Sequence, residues 1–161
     1  MPLHGDRPLF EKLSLEAFQS GLSWITILNR RPRFRVAFAD FSIDAVAAFD
    51  DGDVARLLLD AGVVRNRAKI LATISNARIA QQLGADHPGA LDELLWSFAP
   101  TGPRARPAGR ADLLAITAES TALSAALRSR GFRFVGPTTM HALMQSTGMI
   151  DDHVRGCWRA D

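Results

Sequence analysis

One helical face near the start of the chain carries a carboxylate among apolar residues: Leu9, Leu13, Glu16 and Ser20 recur at the i, i+4, i+7, i+11 spacing of an α-helix. A helix with that stripe has to bury it, so Glu16 goes into or beside the core. Carboxylates rarely go there unless they are paired or needed. Two readings follow. Glu16 is either a structural carboxylate satisfied by backbone donors or an arginine, or a functional carboxylate in a pocket. What comes next bears on the choice: Gly21 and Leu22 are a flexible residue and an apolar one, and Trp24 adds a flat aromatic face within eight residues of Glu16.

Helical periodicity continues along the chain. Asp6 is the expected cap of the first helix, which runs to about Gly21, and Ser23 caps a second one carrying Trp24, Ile27 and Leu28. Pro32 is expected to restart the chain. Asp50, Asp51 and Asp53 open a short helix that ends near Gly62, and a longer one spans about Arg67 to Leu83 before the breaker His87-Pro88-Gly89. Residues 99–110, rich in proline, glycine and arginine, read as a mobile surface loop. Ser120 caps a helix ending at Gly131, and Pro137 opens another through Gln145. No alternating strand pattern exceeds a few residues. The expectation is an all-α fold in a single domain over residues 1–161.

Of the 161 residues 47% are hydrophobic and 22% charged, ordinary for a globular chain with a real core. No apolar run approaches the roughly 18 residues of a membrane span, and Cys157 is the lone cysteine, which fits a reducing cytoplasm. Net charge is +2, and the basic residues are arginines except Lys12 and Lys69. Arg65, Arg67 and Lys69, then Arg128, Arg130 and Arg133, flank glycine-marked turns; they form either a basic patch or a solvated surface.

The stretch about 121–147 reads as helix, tight turn, helix. Gly131 and Gly136 permit the turn, and Pro137 at the first helical position leaves the N–H groups near Thr138 and Thr139 facing outward at a positive dipole end. That arrangement suits a DNA phosphate without base specificity. An ordinary helix–turn–helix corner whose glycines only cap is the alternative.

The ordered blocks resemble a known family. Leu15 to Trp24, Gly62 to Ile70, Asn76-Ala77, Leu95-Trp96-Ser97-Phe98, Arg130 to Thr139, Met144-Gln145 and Asp151 to Cys157 are together similar to the signature of bacterial 3-methyladenine DNA glycosylase I. The resemblance implies a helix-hairpin-helix glycosylase, acting as a monomer, that removes 3-methyladenine from alkylated double-stranded DNA. It implies that Glu16 and Trp24 bind the flipped base, with Glu16 catalytic, and that Gly21-Leu22 is the wedge filling the vacated stack. Gly131, Gly136, Thr138 and Thr139 would hold phosphate. Asp151 and Asp152 lie near the catalytic aspartate of the wider superfamily, on which this branch does not rely. The pocket signature contains no lysine, so no Schiff-base step is expected and the enzyme would be monofunctional.

The family also has a structural zinc. His153 and Cys157, four apart, would supply half of its ligands from one helix, while the other two belong to an N-terminal segment that this chain is expected to lack. An unmetallated histidine and a free thiol are the other reading. The expected lack of that segment allows a second function as well: a helix-hairpin-helix DNA-binding module that does not turn over. An interaction domain without a nucleic-acid role is a third.

Overall fold

A computed structural model describes residues 1–102 and 105–157. Helices α1 (Asp6–Gln19), α2 (Trp24–Ala37), α3 (Ile43–Ala47), α4 (Asp51–Leu59), α5 (Arg67–Asp86), α6 (Ala90–Trp96), α7 (Ala118–Ser129) and α8 (Pro137–Thr147) follow in that order, with no strand among the described residues. The all-α expectation holds. One hydrophobic cluster runs from Leu9 to Ile150. No described helix is long and apolar enough to cross a membrane.

α1 is the central element and touches α2, α5, α6 and α8. Its burial exceeds a single stripe, because Leu9 to Phe18 are buried except Lys12. Ser20 lies past the helix end and is exposed, so the fourth member of the expected face does not join the core. Against α1 packs an aromatic stack in which Phe38 contacts Phe18, Phe34, Phe41 and Phe49 at centroid distances of 5.6–6.3 Å. Glu11 ties α1 to α2. It accepts from Arg31 Nε at 2.7 Å and from Arg35 Nε and Nη2 at 2.8 and 2.9 Å. Burial alone would raise its pKa, but these hydrogen bonds and the two guanidinium charges outweigh burial and hold the carboxyl below its ordinary value.

Several local expectations are corrected. Asp6 does not cap α1; it is the helix's first residue, and its carboxylate accepts from Gly89 N and Asp92 N, capping α6 instead. That helix, Ala90–Trp96, has no counterpart in the sequence reading. Pro32 does not restart the chain. It lies inside α2, where packing of Ile27, Phe34 and Ala37 outweighs one missing backbone bond. Thr117, not Ser120, caps α7, and Ser120 closes a reciprocal capping box with it. Ser23 does cap α2, and Asp50 caps α4. In the loop 99–110, residues 103 and 104 lie outside the described ones. The rest is irregular up to Arg110, which opens a 3-10 turn through Asp112, and Pro107 O accepts from Arg155 N at 3.0 Å.

The stacked position of Phe38, fully buried, makes it the test of this core. Phe38→Ala is expected to cost about 3–5 kcal/mol, read as a lower urea midpoint at unchanged m-value.

Candidate base-binding site and nucleic-acid interface

Glu16 is 2% exposed and points toward α8, not toward a structural arginine. Its Oε1 accepts from Ser146 Oγ at 2.9 Å and lies 3.6 Å from Lys12 Nζ. Burial pushes the carboxyl above its ordinary value, and the Lys12 charge and the Ser146 hydroxyl pull part of the way back. Burial pushes the Lys12 ammonium the other way, below its ordinary value, with Glu16 opposing. A cavity of about 300 Å³ opens beside the carboxylate, lined by Glu16, Gln19, Trp24, Ala142, Gln145 and Ser146. The structure therefore brings Glu16 and Trp24 to one cavity. A polar wall from α8 faces them.

Sequence reasoning missed that wall and missed Lys12. Ser146 and Gln145 lie 130 and 129 residues from Glu16, beyond any local pattern. Lys12 was within reach, because residues four apart on a helix are neighbours. Its Nζ also sits 4.4 Å from the Trp24 ring centroid. A lysine thus stands beside the pocket, although the signature Leu15 to Trp24 itself contains none.

Beyond the cavity the chain turns outward at Gly21, whose φ of +81° is the left-handed conformation that favours glycine. Leu22 is 41% exposed and so is not part of the core. The turn is fixed at both ends. Leu22 N donates to Gln19 O at 2.7 Å and Gln19 Nε2 donates back to Leu22 O at 3.0 Å. Lys69 also departs from expectation. It belongs to no solvated patch: it is 7% exposed and its Nζ donates to Phe18 O at 2.9 Å and Ser20 O at 2.5 Å. A cation at the carbonyl end of α1 complements the helix dipole and holds the segment leading to Leu22.

Arg65, Arg67, Arg128, Arg130 and Arg133 are exposed. The turn between α7 and α8 has Gly131 at φ +93°, with Phe132 and Val135 buried beneath it. Gly136, by contrast, has φ −64°, so no turn geometry demands glycine there. It is the N-cap of α8 and supplies no side-chain cap, leaving the first-turn N–H groups of Thr138 and Thr139 directed away from the helix. Asn76 on α5 clamps this turn: its Nδ2 donates to Arg133 O at 3.0 Å and its Oδ1 accepts from Arg133 N at 2.9 Å. Phe134, at φ +58°, is left exposed beside it.

Asp151 and Asp152 do not join the Glu16 cavity. Asp152 accepts from Gln145 Nε2 at 2.8 Å and lies 3.2 Å from His141 Nε2, while Asp151 accepts from His153 N. His153 and Cys157 do not share a helix either; 151–157 is a turn with Gly156 at φ +78°. Their Nδ1 and Sγ nevertheless lie 3.7 Å apart. Two donors cannot satisfy a four-ligand structural zinc, and no group of three His, Cys, Asp or Glu that could hold a metal occurs among the described residues. The donor set among the described residues does not fit the metal.

Residues 1–160 match the family model described as methyladenine glycosylase. The chain is 42% identical over 158 residues to DNA-3-methyladenine glycosylase 1 of Escherichia coli (strain K12), covering 98% of this chain and 84% of that one. It is 37% identical over 161 residues to DNA-3-methyladenine glycosylase of Haemophilus influenzae, covering 97% and 84%. Among solved structures, a crystal structure of 3-methyladenine DNA glycosylase I superimposes with a TM-score of 0.93 at 39% identity, covering 98% and 87%. A Staphylococcus aureus structure addressing 3-methyladenine recognition gives 0.91 at 30% identity, covering 98% and 84%.

The raised pKa of Glu16 has a sign that can be tested. Below its ordinary value of 4.5 the carboxyl is protonated folded and unfolded, and burying it carries no ionisation penalty. As pH rises toward the elevated folded value the unfolded chain ionises first, so the native state loses stability. Melting temperatures of Glu16→Gln and the parent, measured from pH 4 to pH 8, should diverge in the variant's favour as pH rises. A gap that stays constant would contradict the burial assigned to this carboxylate.

Proposed function

The chain belongs to the methyladenine glycosylase family, and on that premise we infer that it is a DNA base-excision glycosylase that hydrolytically removes 3-methyladenine and leaves an abasic site. The observation that carries the reading is Glu16, a buried carboxylate on a cavity it shares with Trp24. The same similarities favour an enzyme over a binding module that does not turn over.

The substrate is alkylated duplex DNA, bound by a monomer in the cytoplasm. The N terminus of α8, with Gly131, Gly136, Thr138 and Thr139, receives a phosphate through backbone N–H groups. Leu22 enters the base stack as the nucleotide swings out, and Lys69 keeps its segment in place. The flipped base stacks on Trp24, and Glu16 accepts a hydrogen bond from it. A carboxylate favours this base because N3-alkylation makes the purine cationic. The glycosidic bond then breaks with its electron pair passing to the base, which leaves neutral. Water adds to C1′ and its proton is lost to solvent. Since the leaving group is already activated, positioning and electrostatics supply the catalysis, with no covalent enzyme intermediate. Zinc has no part in this scheme, in keeping with the donor set of His153 and Cys157.

Release of free 3-methyladenine from methylated duplex DNA tests the assignment. Glu16→Gln should lower the rate by about 10- to 100-fold, the worth of a hydrogen bond to a charged group. Leu22→Ala should slow it about tenfold, from a less well-filled stack. An unaffected Glu16→Gln would remove the carboxylate from the pocket. The rate should fall on the acid side through a pKa above the ordinary carboxylate range, because the ionised form is the working one. Incubation with a strong zinc chelator should leave both base release and melting temperature unchanged.

A further inference from the structure

The strongest feature that this scheme does not use is Lys12. Its ammonium stands between the two groups assigned to the base, 3.6 Å from Glu16 Oε1 and 4.4 Å from the Trp24 ring centroid. It does not line the base cavity. It lines a separate hollow of about 50 Å³ with Leu15, Trp24, Ile27, Leu28 and Arg31, and Trp24 is common to both. The side chain is 14% exposed, so water screens its charge poorly. The lysine is therefore a fixed positive charge behind the two walls that face the base.

We propose that Lys12 is a charge-setting residue of the base pocket, whose ammonium opposes the positive charge of the alkylated purine and so favours departure of the base as a neutral molecule. The inference rests on the glycosylase reading. Without Lys12, a carboxylate and an aromatic face would form a cation site that binds the charged base tightly in its ground state, and ground-state affinity does not accelerate bond cleavage. With Lys12, Glu16 is partly neutralised and Trp24 already faces a cation. The charged base is then held less tightly. In the transition state the C1′–N9 electron pair moves into the purine, the positive charge migrates to the sugar, and repulsion from Lys12 falls. The difference appears as rate. Lys12 acts through Glu16 and Trp24 and touches no reacting atom, so it is a positioning and charge-setting residue, not a catalytic one.

The location also separates this role from a covalent one. A Schiff-base lysine has to reach C1′ of the sugar. Lys12 lies behind the base-binding residues on the α1–α2 side and is engaged by Glu16.

The test is single-turnover base release from methylated duplex DNA over a range of excess enzyme, giving a maximal rate and a half-saturating concentration for the parent, Lys12→Met and Lys12→Arg. Lys12→Met keeps the length and loses the charge. It should lower both quantities, each by about tenfold, the pattern expected when ground-state destabilisation is removed. Lys12→Arg keeps the charge and should restore both toward the parent. A Lys12→Met variant that binds no more tightly, or keeps the parental rate, would overturn the proposal. So would a Lys12→Arg that behaves like the methionine variant, since shape would then matter and not charge. Borohydride trapping of the parent on DNA, lost in Lys12→Met, would make the residue a nucleophile and overturn it as well. If the parent itself released no base, the glycosylase reading would fall and take this one with it. Release by the parent with no response at Lys12 sinks only the present inference.

Discussion

A carboxylate that is almost fully buried has to be held by something, and what holds Glu16 organises the molecule. Ionised, it needs donors and a counter-charge; the fold supplies a hydroxyl from α8 and an ammonium from its own helix. The first requires α8 to lie against α1, which brings the hairpin with it. The second draws Trp24 of α2 over the lysine. Satisfying one charge therefore sets the positions of three helices around one cavity. The compensation is partial, since burial still raises the Glu16 pKa. Carboxylates perturbed in this way cluster at functional sites.

The parts that would meet DNA are held by the same kind of internal tie. Lys69 reaches from α5 to the carbonyl end of α1, and Asn76, two turns further along α5, grips the hairpin turn by its backbone. One long helix thus sets the spacing between Leu22 and the N terminus of α8. A wedge and a phosphate contact work together only if their separation is rigid, because the distance between a displaced base and its neighbouring phosphates is set by the duplex. Glu11 with its two arginines does the equivalent for α1 and α2. The polar residues in these ties hold backbone and helices.

Lys69 and Lys12 show how a composition argument misleads. Both are lysines in a chain otherwise using arginine, and Lys69 reads with Arg65 and Arg67 as part of a basic patch or a solvated surface. Neither belongs to one. Each is buried by its stem and placed by its head, the first on carbonyl oxygens and the second between a carboxylate and an indole. Charge along a sequence counts cations without saying which face water.

The residues by themselves determined the all-α class, the helices α1, α2, α4, α5, α7 and α8, the burial of Glu16, and, through the ordered blocks, the family. These are properties of local spacing: periodicity sets which face is apolar, and a cap or a proline acts within one turn. Only the tertiary structure decided that Asp6 caps α6 instead of α1, that Pro32 is carried inside a helix, that Leu22 projects outward, and that Ser146 and Gln145 complete the cavity. It also showed that His153 and Cys157 approach each other across a turn and not along a helix. For the Asp6 cap and the cavity wall the reason is the same. A hydrogen bond or a cavity wall formed by residues 80 to 130 positions apart depends on how helices pack. That packing follows from the sum of buried apolar contacts, which no short window of sequence contains.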